Sequence, residues 1–502
     1  MKEIGTVISE PSPSPSEFAF VLNVDGLAVR KGNFVQLETE EGTMIANVKD
    51  LYKSNRYFEK AETVREYERS GRPLSSIFPA PRWEITVGIA RPLGVFSSET
   101  LNRATYPPST GTKVYLADEG LLSKFLGSEE NGINVGTLRF HDLPIKLNMT
   151  RLFQKHLAIL AMSGAGKSYL VSVLLEELLS RKEGGRLGVI IFDVHGEYTG
   201  FSTIPPQGYV DYSGSVNVFS GEDISIGVPN LSAGDFSKLL PNITPVQKRE
   251  LSRILNNLKM TFDSYSLEDI VEFIQKDPDM NKKTKEAMIS WLIGLDDLGL
   301  FGKYDYPSLK KIVEPRRATI FDLSDIIDMQ RKQIIVAHIA RRLFNLRRSG
   351  EICPFLIVLE EAHQFIPEGE RVARITREIF ETIAREGRKF YASLCLVSQR
   401  PIKLSTTVLS QCNTHIILRV TNPYDLDHIG RSSEGITRDV LDQISTLRVG
   451  EALIVGEAIN QPIFVKVRER TSQPPLHSLS LEEACILYEN KEKEELEDSD
   501  IY

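Results

Sequence analysis

The sequence predicts an α/β protein with a mainly parallel sheet, preceded by a small all-β domain and interrupted by an inserted helical subdomain. Three observations carry this expectation. Residues 1–148 read as short strands broken by Gly, Pro and Asn. From Leu157 onward, apolar strands of five to seven residues alternate with helices. Residues 231–312 keep a helical period without a strand-like run.

In chain order, the first strands are expected at 18–22, 34–37, 44–48, 85–93, 114–116 and 133–140. Short strands at this spacing suggest a small barrel or sandwich. A charged helix is expected at 56–70, followed by a loop through Pro79 and Pro81. The later strands, at 157–161, 188–192, 319–323, 355–359, 393–397 and 415–420, are continuously apolar. That is the mark of a parallel sheet covered on both faces. Segments 452–455 and 463–467 would close it as an antiparallel edge. In the insertion, Thr244-Pro245 and Ser266-x-x-Asp269 are helix N-terminal signals. The expected division is 1–148 (β domain), 149–230 and 313–470 (the two parts of the core), 231–312 (insertion) and 471–502 (acidic tail).

Composition is that of an ordinary globular protein. The apolar runs are strand-sized, well short of the roughly 20 residues a membrane span needs. No secretory signal is read at Met1–Gly5. The four cysteines (Cys353, Cys395, Cys412, Cys485) form no C-x-x-C pair. A reducing cytoplasm without membrane attachment is therefore expected. The net charge of -8 is misleading, because residues 482–500 hold nine acids against two lysines and so carry -7. The rest is near neutral, and charge leaves a nucleic-acid partner open. The tail reads either as a solvated end or as an arm laid on a neighbour through Ile486, Leu487 and Tyr488.

The strongest motif is Ala161-Met162-Ser163-Gly164-Ala165-Gly166-Lys167-Ser168, between an apolar strand and a helix expected from Tyr169 to Ser180. Glycines let backbone N–H groups curl around a phosphate, and the helix N-terminus adds its dipole. Residues 163–169 would hold the nucleotide, with Lys167 on the β- and γ-phosphates and Ser168 on Mg²⁺. Ala161 replaces the usual Gly. The strand at 355–359 ends in Glu360-Glu361; Glu360 is assigned to the metal's water shell and Glu361 to polarising the attacking water.

Asp193-Val194-His195-Gly196-Glu197-Tyr198 ends the next strand, so Asp193 and Glu197 should face the nucleotide or a subunit boundary. No P-C-x-x-C accompanies His195-x-Glu197, and Glu361-Ala362-His363 is not H-E-x-x-H, which excludes zinc deaminases and proteases. In Ser398-Gln399-Arg400-Pro401, Gln399 can sense the γ-phosphate. A helix at 371–390, closed by Gly387, offers Arg385 and Arg388 as arginine fingers toward a neighbouring active site. Candidate backbone contacts to nucleic acid are Arg371, Arg374, Arg377, Arg400 and Lys403.

Taken together and in this order, G-A-G-K-S, D-x-H-G-E-Y, E-E-A-H, E-G-R-K and S-Q-R-P resemble the HerA group of the HerA–FtsK superfamily over nearly the whole chain. The resemblance implies a RecA-like P-loop core with an N-terminal β-barrel and a helical insertion. It implies a homohexamer with ATP and Mg²⁺ between subunits. It further implies translocation on double-stranded DNA together with a NurA-type nuclease, in processing of double-strand-break ends. Lys167, Ser168, Glu360, Glu361 and Gln399 fall at matched positions. Two alternatives stand beside this reading: a related motor that moves protein or serves a conjugation pore, and a scaffold that ATP merely assembles.

Overall fold

The computed structural model describes residues 2–23, 29–55, 58, 61–69, 84–97, 100–182, 185–240, 243–369, 373–433, 435–475, 481–483 and 485–490. The chain divides into two compact units. One comprises Met1–Glu130, Gly136–Lys146 and Ile463–Lys466; the other comprises Asn131–Val135, Leu147–Pro462 and Val467–Tyr502.

The first unit is built on β1 (Glu3–Ile8), β2 (Phe18–Leu22), β3 (Phe34–Thr39), β4 (Gly42–Ser54), β5 (Ile85–Ser97), β6 (Thr100–Asn102) and β7 (Lys113–Leu116). The strands run in the order β2-β1-β7-β3-β4-β5, and β2 also pairs with β5, which closes a six-stranded antiparallel barrel. Closure removes the exposed edges that an open sheet would offer. Ile4, Phe18, Phe20, Val35, Leu37, Met44 and Val114 alternate inward to fill it. Strand β1 had no counterpart in the sequence reading, because Gly5 and Thr6 interrupt its apolar pattern. The helix expected at 56–70 is present at Ala61–Arg69; Pro79 and Pro81 lie outside the described residues.

Strands β8 (Ile133–Leu138) and β9 (Pro144–Leu147) lead to β10 (Leu157–Leu160), β11 (Gly188–Asp193) and β12 (Val216–Ser220). A two-residue pair follows, β13 (Ile226–Gly227) with β14 (Phe301–Gly302). The remaining strands are β15 (Ala318–Asp322), β16 (Phe355–Leu359), β17 (Ala392–Ser398), β18 (Thr414–Ile417), β19 (Glu451–Gly456) and β20 (Ile463–Val467). In the second unit the order β12-β15-β11-β16-β17-β10-β18 is parallel throughout, and β19 joins β18 antiparallel. Strands β10, β11, β16 and β17 are buried at every residue, which is why their sequences do not alternate. Strand β12 was missed by the sequence reading, being mostly half-buried at the sheet edge. Strand β18 stops at Ile417, short of the expected 420. Beyond it, Leu418 N donates to Leu160 O and Met162 N donates to Arg419 O, so the segment stays bonded beside the start of the 161–168 loop.

The insertion carries the helices Ala233–Leu239, Pro245–Thr261, Leu267–Lys276 and Lys282–Asp296. Reciprocal capping boxes start the first three, at Ser232/Asp235, Thr244/Gln247 and Ser266/Asp269. Among the described residues no helix is long and apolar enough to cross a membrane.

Candidate nucleotide site

The parallel register brings the C-terminal ends of five strands to one edge. Leu160 lies opposite Ser398, Leu359 opposite Leu396 and Phe192, and Asp193 opposite Asp322. Residues 161–166, Asp193, Glu360, Glu361 and Gln399 therefore converge, on the side where parallel sheets bind ligands. Gly164 (φ 74°) and Gly166 (φ 100°) take the left-handed backbone that the loop requires. The helix begins at Lys167, two residues earlier than expected. As first-turn residues, Lys167, Ser168 and Tyr169 have N–H groups without intrahelical acceptors, which suits an anion.

Glu360 is 1% exposed and accepts the phenol hydrogen of Tyr198, itself fully buried. Burial pushes Glu360 up to about 8, and the neighbouring Glu197 and Asp193 add to it. Asp193 is pushed up to about 6, again chiefly by burial, although it accepts N–H bonds from His195 (3.2 Å), Glu197 (3.1 Å) and Tyr198 (2.9 Å). Glu361 sits at φ 46°, a strained conformation for a residue with a side chain. Its Oε1 accepts from Gln399 Nε2 at 2.6 Å and lies 4.0 Å from His195 Nε2. Burial raises Glu361 as well, while the Lys167 ammonium works against that. His363, 3.3 Å from Glu361, is pushed down to about 4 by burial and by the cations Arg400, Lys403 and Lys167.

The Ser168 hydroxyl donates to Glu197. Ser168 and Glu360 could together hold Mg²⁺, which takes one or two carboxylates and completes its shell with phosphate and water. Among the described residues there is no three-ligand His, Cys, Asp or Glu cage. The donor set fits Mg²⁺ shared with a nucleotide, and a divalent cation would offset the mutual crowding of Asp193, Glu197, Glu360 and Glu361.

The remaining candidates are spread more widely. Gly387 does not end its helix, which spans Arg374–Phe390 and stops with Tyr391 in the left-handed region (φ 56°). Gly387 serves close packing instead: a Cβ there would lie 2.3 Å from Ala392 O. Arg385 and Arg388 are exposed on this helix; the nearest acid to Arg385 is Glu381, at 4.0 Å. Arg374 pairs with Glu378 (3.1 Å), and Arg377 is held by Glu381 (2.7 Å) and the Gly369 carbonyl. Arg400 and Lys403 are exposed on the turn after β17. Arg371 and Val372 lie outside the described residues. The sequence reading assigned no task to Tyr198 or His363, although both stand inside quoted motifs. Their partners become visible only when strand ends meet in space.

The chain is similar to known proteins over most of its length. The family described as "Helicase HerA, central domain" matches residues 133–343. The DNA double-strand break repair helicase HerA of Saccharolobus solfataricus is 30% identical over 404 residues, covering 72% of this chain and 73% of that protein. Its namesake from Pyrococcus furiosus is 29% identical over 443 residues, covering 76% and 78%. In structure, VirB4 of Thermoanaerobacter pseudethanolicus superposes with a TM-score of 0.50 at 18% identity, over 68% of this chain and 97% of that one. That likeness is one of fold alone. With a 30%-identical relative matched across most of both chains, and the motif residues gathered on one sheet edge, this chain belongs to the HerA helicase family.

Proposed function

We propose that the chain is an ATP-driven motor that moves on double-stranded DNA as a homohexameric ring, in the cytoplasm, with a NurA-type nuclease as partner in double-strand-break end processing. The observation that carries the motor reading is the convergence of Lys167, Ser168, Glu360, Glu361 and Gln399 on one edge of the parallel sheet. A bound Mg²⁺ would supply charge neutralisation on the phosphates. Lys167 would grip the β- and γ-phosphates, Ser168 and Glu360 would hold the metal, and Glu361 would orient and deprotonate water. Gln399 would report whether the γ-phosphate is present. Arg385 and Arg388, exposed on one helix, would serve a neighbour's site. DNA as the track is supported by the names of the relatives; the ring and the nuclease are supported by the family resemblance. Of the candidate DNA contacts, Arg400 and Lys403 are favoured over Arg377, whose guanidinium is already engaged.

ATP hydrolysis should rise on adding linear duplex DNA, and the particle mass should be six times the 56.5 kDa chain. Activity indifferent to DNA would remove the translocase reading. DNA processing that survives Glu361→Gln would favour an ATP-assembled scaffold instead.

A further inference from the structure

Beyond β20 the chain runs along the helix Lys167–Ser180 as a strap, residues 468–473, and the strap is pinned there by a buried acid. Glu176, 1% exposed, accepts from Thr471 N (2.8 Å), Ser472 N (2.8 Å), Ser472 Oγ (2.7 Å) and Arg468 Nη1 (2.7 Å). Arg468 also bonds Glu177 at 3.0 Å, and Gln473 donates its amide to Gly200 O at 2.7 Å. A buried carboxylate satisfied by four donors fixes the path of whatever passes over it.

What the pinning presents is Arg470. Its backbone N donates to Tyr169 Oη at 2.7 Å, and its guanidinium lies 5.9 Å from the centre of the Tyr169 ring. Nε donates to Ser472 O (3.0 Å), while Nη2 donates to Ser472 Oγ (3.0 Å) and to the Gln473 carbonyl. Among the described residues Nη1 makes no hydrogen bond, and it is not sealed from solvent. An arginine clamped on one edge with its other nitrogen unused is a pre-set anion donor, and little side-chain entropy remains to be lost on binding.

Its place along the loop says which anion. Lys167 addresses the β- and γ-phosphates, and the loop's N–H groups cradle the α- and β-phosphates. Tyr169, the last first-turn donor, therefore lies toward the α-phosphate and the nucleoside. We propose that Arg470, oriented by Tyr169 and by the Glu176-pinned strap, is a binding residue for the α-phosphate of a nucleoside di- or triphosphate held at the Lys167 loop. This rests on the nucleotide reading of that loop and adds to it a grip on the nucleoside side, supplied from the far end of the chain.

The test is calorimetric binding of ADP and of inorganic pyrophosphate, each with Mg²⁺, to the full chain. Arg470→Ala should weaken ADP about tenfold or more, the worth of one charge-assisted hydrogen bond, and leave pyrophosphate unchanged. Arg470→Gln keeps a donor toward the strap carbonyls but removes the charge; it should lose ADP to the same extent and guards against a fold defect in the first variant. ADP bound at wild-type strength by either folded variant overturns the proposal, as does an equal loss of pyrophosphate. Wild-type chain that binds neither ligand would instead overturn the nucleotide reading of the loop itself.

Discussion

On the Lys167 side of the candidate cleft the polar side chains hold one another. Gln399 is bonded to Glu361, Ser168 to Glu197 and Tyr198 to Glu360. On the Tyr169 side they are held by scaffold: Arg470 is fixed by strap acceptors, and the strap is fixed by Glu176. A ligand arriving at the first end must exchange bonds that already exist. At the second end it meets a nitrogen with nothing to give up. Under the proposed roles, one end would change state with the γ-phosphate and the other would keep hold of the nucleotide while that happens. Each can be broken separately.

The largest effect is expected from Glu361→Gln, which removes the group assigned to the attacking water. Steady-state turnover should fall by about 10²–10⁴, while affinity for ADP, which lacks the γ-phosphate beside which Glu361 is assigned to act, stays within about twofold. A parallel fall in ADP affinity would show that the two ends are not separable. Next is Glu176→Gln. It puts an amide N–H₂ among donors that need an acceptor and leaves Arg468 without its carboxylate. Loss of a buried charge partner costs about 3 kcal/mol or more in stability. Denaturant unfolding should show that loss, and ADP binding should weaken with it, while any turnover at saturating ATP should be nearly intact.

How much of this could be read in the sequence depends on how local each feature is. The parallel strands were legible because burial on both faces leaves β10, β11, β16 and β17 uniformly apolar. The phosphate loop was legible because its chemistry lies within eight consecutive residues. Strands β1 and β12 were not, since glycine, threonine and half-burial erase the pattern there. Gly387 was misread as a helix stop; only the approach of Ala392 O shows why a glycine is needed inside the helix. The strap was invisible for a different reason. Glu176 and Ser472 are 296 residues apart, and nothing near either one announces the other. The adjacent pair Glu176-Glu177 in a largely apolar helix was the one available signal.

Acid should loosen the two ends unequally. His156 is buried, with Nδ1 accepting from Leu394 N (3.0 Å) and Nε2 facing Ala384 O (3.0 Å). It thereby ties the helix of Arg385 and Arg388 to the strand that leads to Gln399. Burial pushes it down to about 4 from an ordinary 6.5. Because the folded pKa is depressed, the unfolded chain takes up the proton first. The stability held by neutral His156 is thus complete above pH 6.5 and is lost as pH falls toward 4. Between pH 7.5 and 5 this amounts to about 2 kcal/mol. Chemical unfolding of wild type and His156→Asn at both pH values isolates it, because other titrating groups are common to the pair. An equal pH slope in the two proteins would remove His156 as the cause.

The smallest expected effect is also the most specific to the comparison. If the Gln399–Glu361 bond is a latch, Gln399 has two tasks: restraining Glu361 when no γ-phosphate is present, and leaving it for the phosphate when one is. Gln399→Ala removes both. The DNA-stimulated rate should then drop about tenfold, the scale of losing one positioned hydrogen-bond donor. The rate without DNA should hold or rise, since Glu361 is no longer restrained by its 2.6 Å partner. The ratio of stimulated to basal turnover, measured on the same preparation, reads the two tasks at once. A ratio that narrows marks a latch. A ratio that stays constant while both rates fall would make Gln399 simply part of the site's framework, and would make the Lys167 side as rigidly built as the Tyr169 side.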